Sequence, residues 1–495
     1  MPRLSKSRIM SSLQCLKRVH LEINRKDLVH YSRATEAAFA LGHQVGDIAI
    51  QLYGGPNAKE NGGVFIEYNG GNFSGALAQT EELMTSMFRA PIFEATLQHD
   101  GVLIREDVLL PHTESGSDSW RIVEVKASTK VKPEHIHDCA VQAWVHLGAD
   151  YPLSSISLAH INNQFQYPGD GNYQGLLIEH DLTEQVFKLL PSVSIWVERA
   201  SEAVAGPMPE VPVGQHCTSP YECPFLDYCW PNDSQYPIAG LGGGKKKLGV
   251  WVMDGYRDIR DVPPSEISSE KRLRIHRVTM EGVPELLPGA RDFVQALAYP
   301  RFYLDFETVG PAIPVWAGTR PYQTLPFQWS CHIERARGVM EHAEFLDLSG
   351  GPPMRALAEQ MIVDLETEGP VLMYTAYERG VIQGLAGMFP DLAGALQAID
   401  IRLVDLHPVT RVNYYHPDML GSWSIKAVLP TIAPDMDYAQ LEGIQEGMGA
   451  SSAYLEAIDP QTSAERKEEI RKNLLKYCKH DTEAMVRLVH FFQRQ

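Results

Sequence analysis

The chain has 495 residues, too many for one compact core and enough for two or three domains of roughly 150 residues each. Hydrophobic residues make up 44% and charged residues 21%, ordinary for a globular protein, and no run is long and apolar enough for a membrane-spanning helix. A formal net charge of -18 argues against attraction of a phosphate backbone by the overall field, although Lys6, Arg8, Lys17, Arg18, Arg25 and Lys26 gather basic charge near the start.

The opening MPRLSKSRIMSSLQCLKR is basic but has no apolar segment followed by a small-residue cleavage site, so it does not read as a secretory signal. A cytoplasmic, reducing location is expected, with no membrane partner. There the seven cysteines are expected to hold metal or do redox chemistry rather than form a disulfide framework.

Residues 1–230 read as one mixed α/β unit. Helical periodicity runs from Thr35 to Leu52 and from Pro133 to Leu147, and short strands are expected over Pro91–Leu110 and Trp120–Lys126. In GVLIREDVLL, Asp107 lies on a strand; in WRIVEVKAST, Glu124 and Lys126 are two apart and share a strand face. Phosphodiester hydrolysis uses such a set: carboxylates hold a divalent ion, and an ammonium group stabilises the developing charge. The plainer alternative is a cross-strand ion pair on a solvated face. His43, on the first predicted helix, is a candidate metal ligand that would otherwise be an ordinary packed histidine.

Cys217, Cys223 and Cys229 fall in HCTSPYECPFLDYCW, with Cys15 about two hundred residues upstream. Four thiolates suit a [4Fe-4S] cluster or a structural zinc ion, and spacing alone does not choose; buried free cysteines are the bland alternative.

The succession His43, Asp107, Glu124-Val125-Lys126 and Gln142 in DCAVQAWVHL, with one early cysteine and three late ones, resembles the iron-sulfur RecB-family PD-(D/E)XK nucleases, which include CRISPR-associated exonucleases and AddB-type helicase-nucleases. That resemblance implies a restriction-endonuclease-like fold stapled by a [4Fe-4S] cluster on Cys15, Cys217, Cys223 and Cys229. It also implies Mg or Mn on His43, Asp107, Glu124 and the Val125 carbonyl, a catalytic Lys126, and a Gln142 that orients the site. Two departures stand out: both gaps in the cysteine trio are five residues, where the family usually has C-x2-C-x5-C, and His146 replaces a tyrosine often found one turn beyond the glutamine.

PNDSQYPIAGLGGGKKK, from Pro231 to Lys247, has the composition of a flexible connection, and a mainly polar helical connector follows to about residue 297. GLGGGKKKLG lacks the hydroxyl residue that a phosphate-binding loop carries after its lysine, so no helicase motor is encoded here.

The last domain, 298–495, opens on RFYLDFETV, an apolar strand that points Asp305 and Glu307 at one site. Two adjacent buried carboxylates make sense when divalent cations lie between them; a surface strand with two solvated acids is the alternative. In LLKYCKHDTEAMVRLVHFF, Tyr477 and Asp481 are four apart on one helix face, a pair that alone could be a simple surface hydrogen bond. The D-x-E strand and the Y-x-x-x-D helix, with Ser424 and Lys426 in GSWSIKAVLP, resemble the DEDDy branch of the DnaQ-like 3'-to-5' exonucleases. The resemblance implies an RNase H-like fold, Mg or Mn on Asp305, Glu307 and Asp481, and a water-positioning Tyr477. The family's middle acid has no direct counterpart; Glu378 in MYTAYERGVIQGL is carried over as the third acid, with Asp405 as the substitute.

The expected function is a metal-dependent nuclease with two centres, a DNA exonuclease of repair, recombination or defence acting on single strands or free ends. The alternatives are a nucleic-acid-binding or assembly protein with one or both centres degenerate, or an RNA-processing exonuclease.

Overall fold

The computed structural model describes residues 4–54, 62–68, 73–87, 89–114, 117–230, 233–436, 438 and 447–494. The chain divides into two compact units. The first comprises residues 1–231 with 244–253 and 311–322; the second comprises 232–243, 254–310 and 323–495. No helix among the described residues is long and apolar enough to cross a membrane.

The first unit runs β1 (Leu4–Ser5), α1 (Lys6–Gln14), α2 (Leu16–Asn24), α3 (Arg33–Gly54), β2 (Val64–Phe65), α4 (Phe73–Thr85), β3 (Ile92–His99) and β4 (Val102–Glu114). It continues with β5 (Ser117–Lys126), α5 (Pro133–Gly148), β6 (Leu153–Ile161), β7 (Leu177–Asp181), α6 (Thr183–Ala205), α7 (Leu226–Cys229) and α8 (Gly244–Met253). The strands form one mixed seven-stranded sheet in the order β2-β3-β4-β5-β6-β7, with β1 parallel to the start of β4. Both faces are covered, which is why the central strands are apolar almost throughout. On one side Ile104, Trp120, Ile122 and Ile156 pack with Ala140 and Val141 of α5 and Val186 and Val197 of α6. On the other, Phe93, Val108 and Val123 pack with Ala49 of α3.

The second unit contains α9 (Glu270–Glu281), β8 (Glu285–Leu286), α10 (Gly289–Gln295), β9 (Arg301–Val309), β10 (Leu325–Ala336), β11 (Val339–Leu346), α11 (Met354–Asp364) and β12 (Val371–Met373). It ends with α12 (Tyr377–Met388), α13 (Ala393–Ile401), β13 (Leu403–Asp405), α14 (Leu406–Asn413), β14 (Tyr414–Tyr415), α15 (Ile425–Ile432), α16 (Gly447–Ile458) and α17 (Ala464–Gln493). Its five-stranded sheet has the order β11-β10-β9-β12-β13, antiparallel on the β10 side of β9 and parallel on the β12 side. Tyr303, Phe302, Phe327 and Trp329 are wholly buried around β9 and β10, each contributing about 1.5–3 kcal/mol of transfer free energy.

The segment expected to be a connector differs from that expectation. Pro231 and Asn232, at the anticipated boundary, lie outside the described residues. Beyond them the chain is folded: residues 254–297 belong to the second unit and 244–253 to the first. Residue 237 bridges residue 258, and β8 pairs with β14. The glycines that suggest flexibility serve a local purpose, since Gly242, Gly243 and Gly244 take successive positive φ values of 65°, 111° and 77°, open to glycine at little cost.

Candidate functional site

In the first unit, three neighbouring strands present three carboxylates in a row. The β4–β5 ladder ends at Val108 facing Val123, and Asp107 and Glu124 are the next residues beyond it, near enough for the Glu124 charge to act on Asp107. Phe93 faces Val108 and Ala95 faces Glu106 across β3 and β4, which puts Glu94 opposite Asp107 on its other side. Glu94 has a φ of 58°, a strained conformation for a side chain of its size, and Arg105 holds it at 3.1 Å. Val125 donates its amide to Asp107 Oδ2 at 2.8 Å. The N–H and C=O of one extended residue point to the same side of a strand, so the Val125 carbonyl turns toward Asp107 as well.

Glu124 is the hub. It is 1% exposed and accepts from Lys126 Nζ at 2.5 Å, Lys6 Nζ at 2.8 Å and Gln142 Nε2 at 2.5 Å. Asp138, one turn before Gln142 on α5, closes the set by accepting from Lys126 at 2.6 Å and lying 3.3 Å from Lys6. Burial works against ionisation of Glu124, but Lys126 and Lys6 outweigh it and hold the carboxyl well below its usual range. Burial pushes Asp107 the other way, to about 8, with the Glu124 charge adding to the effect. Environments that drive two adjacent carboxyls apart are characteristic of functional sites.

Asp107, Glu124, Val125, Lys126 and Gln142 are thus brought together. His43 stands exposed on α3; its charge is felt at Glu94, whereas Glu124, Lys6, Lys126 and Glu94 act on Asp107 most strongly. His146, one turn beyond Gln142 on α5, is wholly buried and bonds Glu106 Oε1 at 2.9 Å, so it fastens α5 to β4 and is engaged by Glu106 rather than by Asp107 or Glu124. Lys6, seen in the sequence only as part of the basic start, joins the site together with Glu94 and Asp138, which no motif singles out. For Glu94 and Asp138 a signal existed: a lone acid inside the apolar strand IFEATL, and an acid four residues before Gln142 in DCAVQ.

Cys15, Cys217, Cys223 and Cys229 line one small pocket. Gln14 ties the two ends together by donating to the carbonyls of His216 at 2.6 Å and Tyr221 at 2.7 Å. None of the four is in a disulfide. Among the described residues the one set of three such ligand atoms within 4.8 Å of one another lies elsewhere, at Asp305, Glu307 and Cys478. Four thiols lining one pocket are a donor set that a [4Fe-4S] cluster or a zinc ion could use.

In the second unit, Asp305 and Glu307 point to one face of β9, and the neighbouring strand fixes what lies over them. Gln328, opposite Glu307, donates to the Leu474 carbonyl at 2.9 Å, and Ser330, opposite Asp305, bonds Thr482 at 3.0 Å. These two bonds pin α17 so that Tyr477, Cys478 and Asp481 face the strand. The Cys478 thiol lies 3.6 Å from Asp305 Oδ2, a neighbour not anticipated from the sequence. Tyr438 donates to Asp481, and Lys426 Nζ sits 5.1 Å and 5.2 Å from the ring centres of Tyr438 and Tyr477. Glu378, in the first turn of α12, is 3% exposed and leaves Oε2 without a hydrogen-bond partner. Asp405 caps α14, its Oδ1 accepting from the His407 amide at 2.9 Å and from the Thr375 amide at 3.0 Å. Of the two, Glu378 is the one whose charge bears on Asp305 and Glu307. An open cleft of about 350 Å³ runs over Asp305, Glu307, Tyr477 and Asp481.

Burial raises the carboxyls of this cleft and of Glu378 behind it. Asp305 and Glu307 are driven well above their usual range, with Asp481 adding repulsion; Glu378 is pushed to about 8 and Asp481 to about 6. A carboxyl whose pKa rises on folding contributes stability at low pH that is lost as pH climbs through the folded value. Glu124, held low, has made its full contribution by pH 6 and changes nothing above it. The metal-free protein is therefore expected to lose Tm between pH 6 and 8.5, by on the order of 5 °C. Millimolar Mn²⁺ should restore it at pH 8.5 and do little at pH 5.5; a flat metal-free profile in differential scanning fluorimetry would contradict these assignments.

The family described as Domain of unknown function (DUF2779) matches residues 302–424. The matched stretch contains Asp305, Glu307 and Glu378 and ends before Lys426, Tyr477 and Asp481. No curated protein matches the chain.

Proposed function

We propose that this chain is a metal-dependent nuclease with two centres, a RecB-like PD-(D/E)XK site in the first unit and a DEDDy-like exonuclease site in the second, with DNA as substrate. One observation carries the reading. In each unit, acids far apart in sequence converge on adjoining strands and helices, buried and in part held neutral by one another, beside a group fit to act on a phosphate ester. Such an arrangement is costly without cations, and divalent ions bound between the acids would relieve it.

The residues divide the work by position. Asp107, Glu124 and the Val125 carbonyl would hold Mg²⁺ or Mn²⁺ in the first centre, with Glu94 within reach. Lys126 and Lys6 keep Glu124 ionised, and Lys126, the more exposed of the two at 25% against 19%, is placed to meet charge developing on the phosphate. Gln142 fixes the remaining Glu124 oxygen. In the second centre Asp305, Glu307, Glu378 and Asp481 form the acid set. Tyr477 is raised by burial and by Asp481, so its hydroxyl keeps its proton and can orient a water. The ion supplies Lewis-acid activation in both places. The mixed sheets, each with its acids on inner strands, suit the restriction-endonuclease-like and RNase H-like expectations. The thiol set of the first unit would carry a [4Fe-4S] cluster that closes a loop of about two hundred residues.

The test is degradation of end-labelled single- and double-stranded DNA and RNA by the full chain with Mg²⁺ or Mn²⁺. Shortening of labelled DNA that EDTA stops is expected; no cutting of any substrate under any metal would remove the proposal.

A further inference from the structure

A second feature of the first unit lies beside its acids. A groove of about 720 Å³ is lined by Lys6, Lys126 and Asp138, by residues of α1 and α2, and by Pro220 and Tyr221 of the cysteine-bearing loop. Lys6, Arg8, Arg18, Lys26 and Lys126 line it, a local excess of cations in a chain of net charge -18. Three acids share the lining, Glu22 paired with Arg18 at 2.8 Å, Asp138 paired with Lys126 at 2.6 Å, and Glu134, so five cations face three acids. Aromatic rings stand along the same groove unusually open to solvent: Tyr31 is 38% exposed, Phe39 53% and Tyr221 48%. Tyr31 and Phe39 meet edge to face at 5.3 Å, which holds both rings in place without covering them.

Cations spaced along a groove suit a polyanionic backbone, and exposed rings suit flat partners with free faces. Those two demands meet in a nucleic-acid strand whose bases are unpaired; a duplex hides its base faces in its own stack. We propose that this groove binds a single nucleic-acid strand, its bases stacked on Tyr31, Phe39 and Tyr221 and its phosphates met by Arg8, Arg18 and Lys26, and leads it to Glu124 and Lys126. What the strand is led to rests on the nuclease reading; the binding itself does not. The groove also offers an anionic strand a local set of cations beside Glu124 in a chain that is acidic as a whole.

The test measures fluorescence anisotropy of labelled oligothymidine, oligouridine and a duplex of equal length, with the full chain in EDTA so that nothing is cut. Tyr31→Ala/Phe39→Ala should weaken single-strand binding by at least about tenfold, since stacking contributes roughly 1–3 kcal/mol per base. Lys26→Ala should lower the slope of log affinity against log salt by roughly 0.7, the loss of one phosphate contact. Both changes lie at exposed positions, and circular dichroism of each variant confirms the fold. The two oligonucleotide arms show whether the strand is DNA or RNA, and a loss in either supports the groove. Duplex bound as tightly as single strand, or single-strand binding unaltered in both variants, overturns it. Cutting that persists with unaltered binding sinks the groove and leaves the nuclease reading standing; strand binding that depends on these residues without any metal-supported cutting does the reverse.

Discussion

Lys126→Ala and Asp305→Asn are each expected to remove one of two separable, metal-dependent cleavage activities, by at least about 10²–10³-fold, while the double variant cuts nothing. Lys126 bridges Glu124 and Asp138 at 2.5 and 2.6 Å, so its loss takes away a charge that keeps Glu124 ionised and, on the proposed function, the ammonium that would meet the phosphate. Asp305 sits where β9 and α17 meet, with ligand atoms of Glu307 and Cys478 within 4.8 Å. The stability of the two variants should diverge. Lys126→Ala strands a buried Glu124 on Lys6 and Gln142 alone and lowers Tm. Asp305→Asn relieves repulsion among acids already driven toward their neutral forms, so its metal-free Tm at pH 8 should match or exceed that of the unaltered chain although cutting is gone. Product ladders separate the outcomes: if neither substitution changes the pattern of end-labelled fragments, the centres are misplaced.

The second large effect concerns the thiols. Cys217→Ser should abolish the brown colour and iron content of anaerobically purified protein and lower Tm by an amount equivalent to several kcal/mol. Closing a loop of this length constrains the unfolded chain by on the order of 5 kcal/mol in the entropic account of cross-links. The damage should reach the first centre and spare the second. Helix α1 carries Lys6 at its first residue and is followed directly by Cys15, so an unanchored Cys15 loosens the helix that delivers Lys6 to Glu124. Cleavage dependent on Lys126 is expected to fall with the cluster while cleavage dependent on Asp305 persists. A Cys217→Ser protein with full iron and unaltered Tm would contradict the four-thiol ligand set.

Much of both centres was legible in the sequence because strand and helix periods are local. E-x-K and D-x-E place side chains on one face whatever the tertiary fold, and Y-x-x-x-D does the same on a helix. What could not be read depends on register and packing between distant segments. Glu94 counts only because β3 pairs with β4 so as to set it opposite Asp107, and Lys6 only because β1 docks α1 beside the sheet. Cys478 lay in plain view between Tyr477 and Asp481, but its approach to Asp305 follows from Gln328 and Ser330 pinning α17. The connector misled for a related reason: its glycines and prolines have loop composition, whereas its order comes from long-range pairing such as that of β8 with β14. Glu378 and Asp405 show the limit most clearly, since only the packing tells which of the two acids bears on Asp305 and Glu307.

The central claim is that two separate pockets each capture divalent cations. Anomalous scattering from crystals grown with Mn²⁺, recorded to discriminate manganese from iron, tests it without reference to substrate or rate. Peaks between Asp107 and Glu124 and among Asp305, Glu307 and Asp481 are predicted. Manganese absent from both pockets at millimolar concentration and pH 8, with the acids bonded only to protein groups, would contradict the account.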